Sequence, residues 1–323
     1  MVHATAAWRY RAEHWLSLGY GHVHLLPDHV LGQWFCVERQ SGRMRWDRPV
    51  AKADSVIGVS EGVIIASEMR MSGPATYSYG VFAISLETGE LLWTSHFAGR
   101  GGRAFLKAVA SWFGIDFSDY AAGVRGSECI TAAGRILDLH SGKELRLEPP
   151  SAGEKWPSFW TLKSPAWQLY GRHPVDCGSG RILRHGLPGA PKKEGVGPDG
   201  TFNLFLSDEQ GRPLWSFDIA TTGHHMGGNY FSYRFNDGFV YMVVSDRPQT
   251  VPIDPRQPLI VKRNPVHYFL WALDIETGEI CQKVQISEEE TTCCRIEDLD
   301  ERSVLVSCGK AALLFNRMAK PQQ

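Results

Sequence analysis

Two histidine pairs in this sequence have a spacing that could support chemistry. His22 and His24 stand two residues apart in "GHVHLLPDH", so both side chains would lie on one face of a strand and could share a metal ion with a third ligand. His224 and His225 are adjacent and would point to opposite faces, but Gly223 beside them lets a backbone approach a ligand closely. Asp28 and His29 follow at a turn, but no cysteine or second histidine pair stands at metal-like spacing, so satisfied or solvent-facing histidines are the alternative to a metal site.

The adjacent cysteines Cys293 and Cys294 raise the question of redox chemistry. The sequence has seven cysteines, an odd number without the spacing of a disulfide scaffold, which is the usage expected in a reducing compartment. No apolar stretch of signal-peptide type is found at the start, and no run of about eighteen apolar residues occurs. We therefore expect a cytoplasmic protein that does not insert into a membrane.

Composition and motif searches narrow the possible functions. The formal net charge of −1 gives no overall reason to expect nucleic-acid binding. The sequence contains no P-loop, no G-x-S-x-G elbow, no H-E-x-x-H and no dinucleotide-binding glycine motif placed between a strand and a helix. Common catalytic motifs therefore do not identify an enzyme. Any role for the histidines depends on the strands and turns that position them.

Five segments share an apolar run, a polar turn with a glycine and a second apolar run. They are "WFCVERQSGRMRW" at 34–46, "FAISLETGELLW" at 82–93, "RILDLHSGKELR" at 135–146, "LFLSDEQGRPLW" at 204–215 and "WALDIETGEICQ" at 271–282. Alternating apolar residues favour half-buried strands, and the glycine allows the positive φ of a tight turn. Further strand pairs precede most of these segments, for example at 55–67, 233–245 and 295–308. Four strands that recur every 40 residues or more, roughly, predict the blades of a β-propeller.

The repeat resembles that of the PQQ-like, or quinoprotein-type, β-propellers, whose consensus is similar to A-x-D-x-x-T-G-x-x-x-W. The matching residues are Ala83, Thr88, Gly89 and Trp93 in one repeat, and Ala272, Asp274, Thr277 and Gly278 in another. Ser85, Gln282 and Arg146 depart from the consensus. The resemblance implies that the tryptophans at the last position dock one blade on the next, and these are Trp46, Trp93 and Trp215.

A quinone cofactor is not expected from this resemblance. Quinoprotein alcohol dehydrogenases have a bond between adjacent cysteines, which invites comparison with Cys293 and Cys294. Those enzymes resemble eight-bladed rings on a much longer chain, are exported, and hold calcium beside the quinone. This sequence is shorter, and it shows no export signal and no set of carboxylates and amides for calcium. We therefore expect no cofactor, PQQ included.

The sequence predicts an all-β fold, a single β-propeller domain over residues 1–323 with six four-stranded blades. The blades are predicted at about 12–50, 54–97, 117–149, 158–219, 226–286 and 292–318. Because the last blade shows three strands, we expect the N-terminal "TAAWRYR" to supply the fourth and leave no open sheet edge. Seven blades are the alternative if 150–200 contains two short ones.

The long connections are predicted to share one face of the propeller. The B–C and D–A connections of a four-stranded blade leave on the same face, and the long ones are 69–78, 98–116, 186–200, 220–228 and 246–267. A short amphipathic helix is expected within about 100–116, at 103–113, and the connection 246–267 is rich in proline. Rigid scaffolds with long loops on one face usually bind something there. The helix could instead pack on its own domain.

These connections carry an excess of positive charge. The basic residues are Arg70, Arg100, Arg103, Lys107, Lys192, Lys193, Arg247, Arg256, Lys262 and Arg263, against Asp116, Glu194, Asp199, Asp246 and Asp254. The candidate binding residues are Arg100, Arg103, Trp112, Lys192, Lys193, His224, His225, Arg247, Lys262 and Arg263. An acidic partner or a phosphate group would suit this face, whereas ordinary solvated loops are the alternative.

Two functions follow as hypotheses. The first is a non-catalytic scaffold that binds a protein or another acidic partner through the basic face. The second is an enzyme, a metal-assisted hydrolase or lyase, with histidines at the central funnel of the propeller. A resemblance to the periplasmic propeller lipoprotein of outer-membrane assembly is disfavoured, because the sequence shows no signal peptide or lipobox cysteine.

Overall fold

The structure, a computed structural model, consists almost entirely of antiparallel strands in the part of the chain that it describes. That part comprises residues 6–12, 23–32, 35–47, 55–72, 75–96, 119, 121–131, 133–148, 175–185, 203–226, 233–247, 250–252, 261–263, 266–286 and 294–317. The predicted helix at 103–113 and the insertion at about 100–116 lie outside these residues.

The strands of the first half are β1 (Trp8–Arg11), β2 (His24–Leu25), β3 (His29–Leu31), β4 (Phe35–Glu38), β5 (Met44–Asp47), β6 (Ser55–Ser60), β7 (Val63–Ser72), β8 (Ala75–Ser85), β9 (Leu91–His96), β10 (Ala121–Arg125), β11 (Glu128–Thr131), β12 (Arg135–Asp138) and β13 (Glu144–Leu147). Those of the second half are β14 (Val175–Asp176), β15 (Ile182–His185), β16 (Asn203–Ser207), β17 (Pro213–Asp218), β18 (His225–Met226), β19 (Tyr233–Asn236), β20 (Phe239–Ser245), β21 (Thr250–Pro252), β22 (Val261–Arg263), β23 (Tyr268–Asp274), β24 (Ile280–Gln285), β25 (Cys294–Leu299), β26 (Ser303–Cys308) and β27 (Ala311–Asn316). One 3₁₀ helix, Ile219–Thr222, lies between β17 and β18.

The chain forms two compact units, and the unit of residues 19–164 contains three blades. Blade 1 is β2-β3-β4-β5, blade 2 is β6-β7-β8-β9 and blade 3 is β10-β11-β12-β13, each a four-stranded antiparallel sheet in chain order. We call the four strands of a blade A to D in this order. The prediction of a loop at 69–78 is wrong, because the ladder of β7 and β8 continues until Ser72 pairs with Ala75. Arg70 therefore lies on a strand, opposite Tyr77.

The unit of residues 1–18 and 165–323 contains the other three blades. Blade 4 is β14-β15-β16-β17, blade 5 is built on β19-β20-β23-β24, and blade 6 is β25-β26-β27-β1. The N-terminal strand thus completes the last blade, with Trp8 opposite Leu314 and Arg11 opposite Ala311, as the sequence predicted. The all-β, six-bladed fold of the propeller class is confirmed. Between 150 and 218 the described residues form one blade, which favours six blades over seven.

Blade cores form where alternate residues of the middle strands meet the next sheet. Blades 4 and 5 share a core that includes Leu204, Leu206, Val240, Trp271 and Leu273, and blades 5 and 6 share another around Tyr241, Leu270 and Val306. In β20 all seven residues are buried, because this middle strand has a packed sheet on each face. Every described C–D pairing from blade 1 to blade 5 also shifts register just before the glycine turn, which is a bulge repeated with the sequence motif.

Three tryptophans of D strands each contact the following blade in the same way. The indole Nε1 atom donates to a backbone carbonyl of that blade, from Trp46 to Leu86 (2.9 Å), from Trp93 to Leu139 (2.8 Å) and from Trp215 to Ile275 (2.7 Å). Each ring also lies against the turn glycine of that blade, and these are Gly89, Gly142 and Gly278. Two features favour glycine at these positions. The backbone φ is positive, and a Cβ atom there would lie within 3 Å of the ring.

Arg146 stands at the tryptophan position of blade 3 and behaves differently. Its guanidinium turns back into its own blade, where it binds Glu148 and, at 2.6 Å, Glu128. Hydrogen bonds from Arg146 and Arg125 lower the pKa of Glu128 to about 2. These groups are exposed, so we attach no folding energy to them.

Candidate functional site

The described candidate residues converge on blade 5, at the end of the blade where its B strand meets its C strand. His224 and His225 lead into that blade, Arg247 follows β20, and Lys262 and Arg263 lie on β22. The candidates Arg100, Arg103, Trp112, Lys192 and Lys193 and the histidine His22 lie outside the described residues.

His224 is positioned by a short helical turn. The 3₁₀ helix Ile219–Thr222 begins with the Asp218 side chain accepting from a backbone N–H and ends at Gly223, whose φ is 73°. The Nδ1 atom of His224 lies 2.9 Å from the Thr222 carbonyl, so Nδ1 carries a proton and donates it to that oxygen. The ring packs edge-on against Trp271 at 4.7 Å between centroids. His224 is therefore held over the joint of blades 4 and 5.

His225 begins β18 and pairs in the ladder with Ser245 at the end of β20. Burial lowers the pKa of His225, and the nearby His224 lowers it further, whereas the charge of Asp246 acts in the opposite direction. A lowered pKa keeps the ring neutral near pH 7. The neutral His225 ring therefore contributes to stability above the ordinary histidine pKa. This contribution is lost as the pH falls through the pKa that His225 has in the folded protein.

Asp246 and His267 form a hydrogen-bonded pair at the two ends of the connection between β20 and β23. The Asp246 carboxylate accepts from the His267 backbone N–H at 3.0 Å and from its ring Nδ1 at 2.9 Å. Burial acts to raise the pKa of Asp246, but these two hydrogen bonds and the charge of Arg247 outweigh it and lower the pKa. Asp246 thus remains ionised and orients the His267 ring, whose Nε2 atom is directed away from the carboxylate.

The sequence analysis missed this pair. In the sequence, Asp246 is one of several negative charges in the long connections, and no motif marks His267. The two residues are 21 positions apart, and they meet because Ser245 and Tyr268 are opposite each other at the end of the β20–β23 ladder. The available signal was the position of both residues directly outside two predicted strands, which alone does not show that the strands pair.

We call His224, His225, Asp246, Arg247 and His267 the blade 5 histidine cluster. Its single carboxylate is already bound by His267, while the Arg247 side chain is 47% exposed and lies 3.6 Å from the same carboxylate. The cluster therefore offers one permanent cation and titratable rings to a ligand, which suits an anion. Among the described residues, no three His, Cys, Asp or Glu side chains are arranged so that they could hold a metal ion. His24, the described member of the other histidine pair, is buried on β2 with 2% exposure.

The proline-rich connection of blade 5 contains a second, smaller ladder. β21 and β22 pair with Val251 opposite Lys262 and Thr250 opposite Arg263. This pair is a separate two-stranded sheet, and in the sequence it lies between the B and C strands of blade 5. Lys262 and Arg263 therefore belong to the same connection as Arg247 and His267.

Comparisons with known proteins leave the family open. No family model and no curated protein matches the chain. Among solved structures, a europium-containing methanol dehydrogenase is similar at 13% identity and a TM-score of 0.28, over 88% of this chain. The chain spans 55% of the length of that structure. A similarity at this level carries no argument about activity or cofactor.

The described part of the chain has no helix that is both long and apolar enough to cross a membrane.

Proposed function

We propose that this protein is a non-catalytic β-propeller that binds the acidic surface of a partner protein through the long connections of its blades. The observation that carries the proposal is the blade 5 histidine cluster. Its exposed cation, Arg247, lies on the same connection as two further basic residues, Lys262 and Arg263. A rigid sheet below this connection would hold the charges in place before a partner arrives.

Charge reversal on this connection is the direct test. We expect Arg247→Glu, Lys262→Glu and Arg263→Glu together to weaken binding of a fluorescent polyglutamate probe by about tenfold or more, since each reversal replaces attraction by repulsion. Fluorescence anisotropy with the full chain measures this. Binding by the unaltered protein should also weaken as salt is added, because surface charges are screened.

A matched control reverses three basic residues of the C–D turns instead. Arg43→Glu, Lys143→Glu and Arg212→Glu produce the same change in net charge at the opposite end of their blades. We expect this variant to retain most of the probe binding. Equal losses in both triple variants would mean that net charge alone controls binding, and the proposed face would be wrong.

Two finer assignments accompany this proposal. We infer that the repeats are of the PQQ-like type, since the glycine turn and the D-strand tryptophan recur as that consensus requires. We also propose that the protein works in the cytoplasm, and we expect no cofactor. The pattern of docking tryptophans supports the repeat type, which itself carries no activity.

A second candidate function is supported by the Asp246–His267 pair. A carboxylate that holds the Nδ1–H of an imidazole leaves Nε2 as a proton acceptor, which is the arrangement of a general base. The His267 side chain is 34% exposed, so a substrate or water could reach it. This reading keeps the enzyme hypothesis but replaces metal assistance with acid–base chemistry.

Hydrolysis of p-nitrophenyl acetate tests the second candidate. We expect His267→Gln and Asp246→Asn each to reduce the rate, because the first removes the proton acceptor and the second removes the carboxylate that orients it. His140→Gln is the control, because His140 is also exposed and bound to a carboxylate, that of Glu61. If His140→Gln reduces the rate equally, the reaction reports ordinary surface histidines and the second candidate fails.

A further inference from the structure

Arg234 is a buried cation in the first strand of blade 5. It lies on β19 opposite Tyr241, and the residue is 8% exposed. β19 runs beside β25, the first strand of blade 6, where Ile296 and Glu297 lie. A buried arginine needs strong partners, because removing its charge from water costs several kcal/mol, roughly.

The hydrogen bonds of Arg234 within the described residues are weak. Its Nη2 atom donates to the carbonyl oxygens of Ile296 at 3.3 Å and of Glu297 at 3.4 Å. Its Nε atom is buried and has no hydrogen-bond partner. Burial lowers the pKa of Arg234 to about 9, against the opposing charges of Asp298 and Glu297, so the guanidinium is still charged at pH 7.

The buried carboxylate of Glu297 already accepts hydrogen bonds from other side chains. Glu297 is 3% exposed and is the extra residue of a bulge, where Ile296 pairs with Val306 and Asp298 with Leu305. Its Oε1 atom accepts from Arg295 Nε at 2.6 Å and from the Ser307 hydroxyl. Arg234 therefore hydrogen-bonds to the backbone of Glu297, while the carboxylates of Asp298 and Glu297 act on it through their charge.

We propose that Arg234 anchors a binding site for a small anion with a carboxylate or phosphate group, between the first strands of blades 5 and 6. The Nε–H and Nη2–H groups of a guanidinium point the same way and can hold two oxygens of one such group. The anion would give the unpartnered Nε–H an acceptor, would replace the long Nη2 bonds to the Ile296 and Glu297 carbonyls, and would add to the compensation that Asp298 and Glu297 give the buried charge. The neighbouring Arg295 side chain is 25% exposed, so solvent reaches this part of the strands.

This site is independent of the proposed face on blade 5. Arg234 lies opposite Tyr241, whereas the blade 5 histidine cluster lies at the end of the same ladder, around Ser245. The triple variant Arg247→Glu, Lys262→Glu and Arg263→Glu should therefore bind small anions as the unaltered chain does. Failure of either proposal leaves the other unaffected.

Titration with inorganic phosphate and, separately, with citrate tests the anion site and distinguishes the two ligand chemistries. Calorimetry and thermal unfolding of the full chain, at ionic strength held constant with sodium chloride, measure binding. We expect one of the two anions to give a saturable response in the unaltered protein. Arg234→Met should weaken that response by about tenfold or more, as loss of charged hydrogen bonds does.

Two further variants keep the test decisive. Arg212→Met removes an exposed charge from a C–D turn and should leave the response unchanged, and Arg234→Lys keeps the charge but loses the fork and should weaken it. Without anion, Arg234→Met should unfold at about the same temperature as the unaltered chain, because the cost of burying a charge disappears together with its attraction to Asp298 and Glu297.

The proposal is overturned if neither anion gives a saturable response in the unaltered protein. An equal response in Arg234→Met also overturns it. If Arg234→Met does not fold, Arg234→Lys carries the test, and a response equal to that of the unaltered chain then overturns the site.

Discussion

Replacing Trp46 with alanine is expected to lower the free energy of unfolding by about 3–5 kcal/mol, the usual cost of deleting a buried large aromatic ring. Trp46 is 5% exposed, and it joins blade 1 to blade 2 through the core that includes Ile64 and Phe82. The substitution would also leave the Leu86 carbonyl without the donor that it has at 2.9 Å. Unfolding in urea, followed by tryptophan fluorescence and circular dichroism, measures the change.

The glycine under the ring gives a matched check on the same contact. Gly89→Ala and Gly211→Ala both place a side chain at positive φ, 69° and 79°, for about 1–2 kcal/mol each. A Cβ atom on Gly89 would also lie 2.6 Å from the Trp46 ring, whereas nothing lies within 4 Å of one on Gly211. We expect Gly89→Ala to cost about 1–3 kcal/mol more than Gly211→Ala. Equal costs would show that the ring is not held against the turn.

The second large effect concerns the disulfide between Cys294 and Cys308 in blade 6. The two residues pair directly across β25 and β26 and are separated by 14 positions. Closing a loop of that length stabilises a fold by about 3 kcal/mol, mainly by restricting the unfolded chain. We therefore expect a reductant, or Cys294→Ser with Cys308→Ser, to lower the unfolding free energy by about that amount. Equilibrium unfolding with and without dithiothreitol measures it.

The double serine variant is also the control for the reductant. Burial raises the pKa of Cys36 and of Cys129 to about 12, so these thiols stay protonated and unreactive. Dithiothreitol should have no effect on the double variant, because the bond between Cys294 and Cys308 is the one disulfide among the described residues. A loss of stability there would mean that the reductant acts elsewhere. An unaltered protein that is insensitive to the reductant would mean that the disulfide contributes nothing.

This bond also bears on where the protein works. The sequence suggested a reducing compartment, because the seven cysteines lack the spacing of a disulfide scaffold. The structure joins Cys294 to Cys308 and not to its neighbour Cys293. Since reducing compartments keep most thiols reduced, alkylation of thiols in freshly lysed cells, read by mass spectrometry, tests the cytoplasmic location. A fully oxidised pair would contradict it.

The repeat was open to prediction because its signals are local. Gly89 and its equivalents mark a turn within about ten residues of chain, and alternation of apolar residues marks the strands on either side. The N-terminal strand could be expected to complete blade 6, since a three-stranded last blade would leave the edge of its third strand unpaired. The wrong loop at 69–78 has the same origin, because polar residues in a long hairpin look like a connection when no register is known.

What the sequence by itself determined is therefore the class of the fold, with six blades preferred to seven, whereas the face expected to carry the long connections stays a prediction. Only the tertiary structure showed that Asp246 holds His267, that Arg234 is buried without a full set of partners, and that Cys294 faces Cys308. The physical reason is the distance along the chain over which each kind of interaction acts. Turn and strand preferences act between neighbours in the chain, whereas these contacts depend on the register between strands and on which blade packs against which.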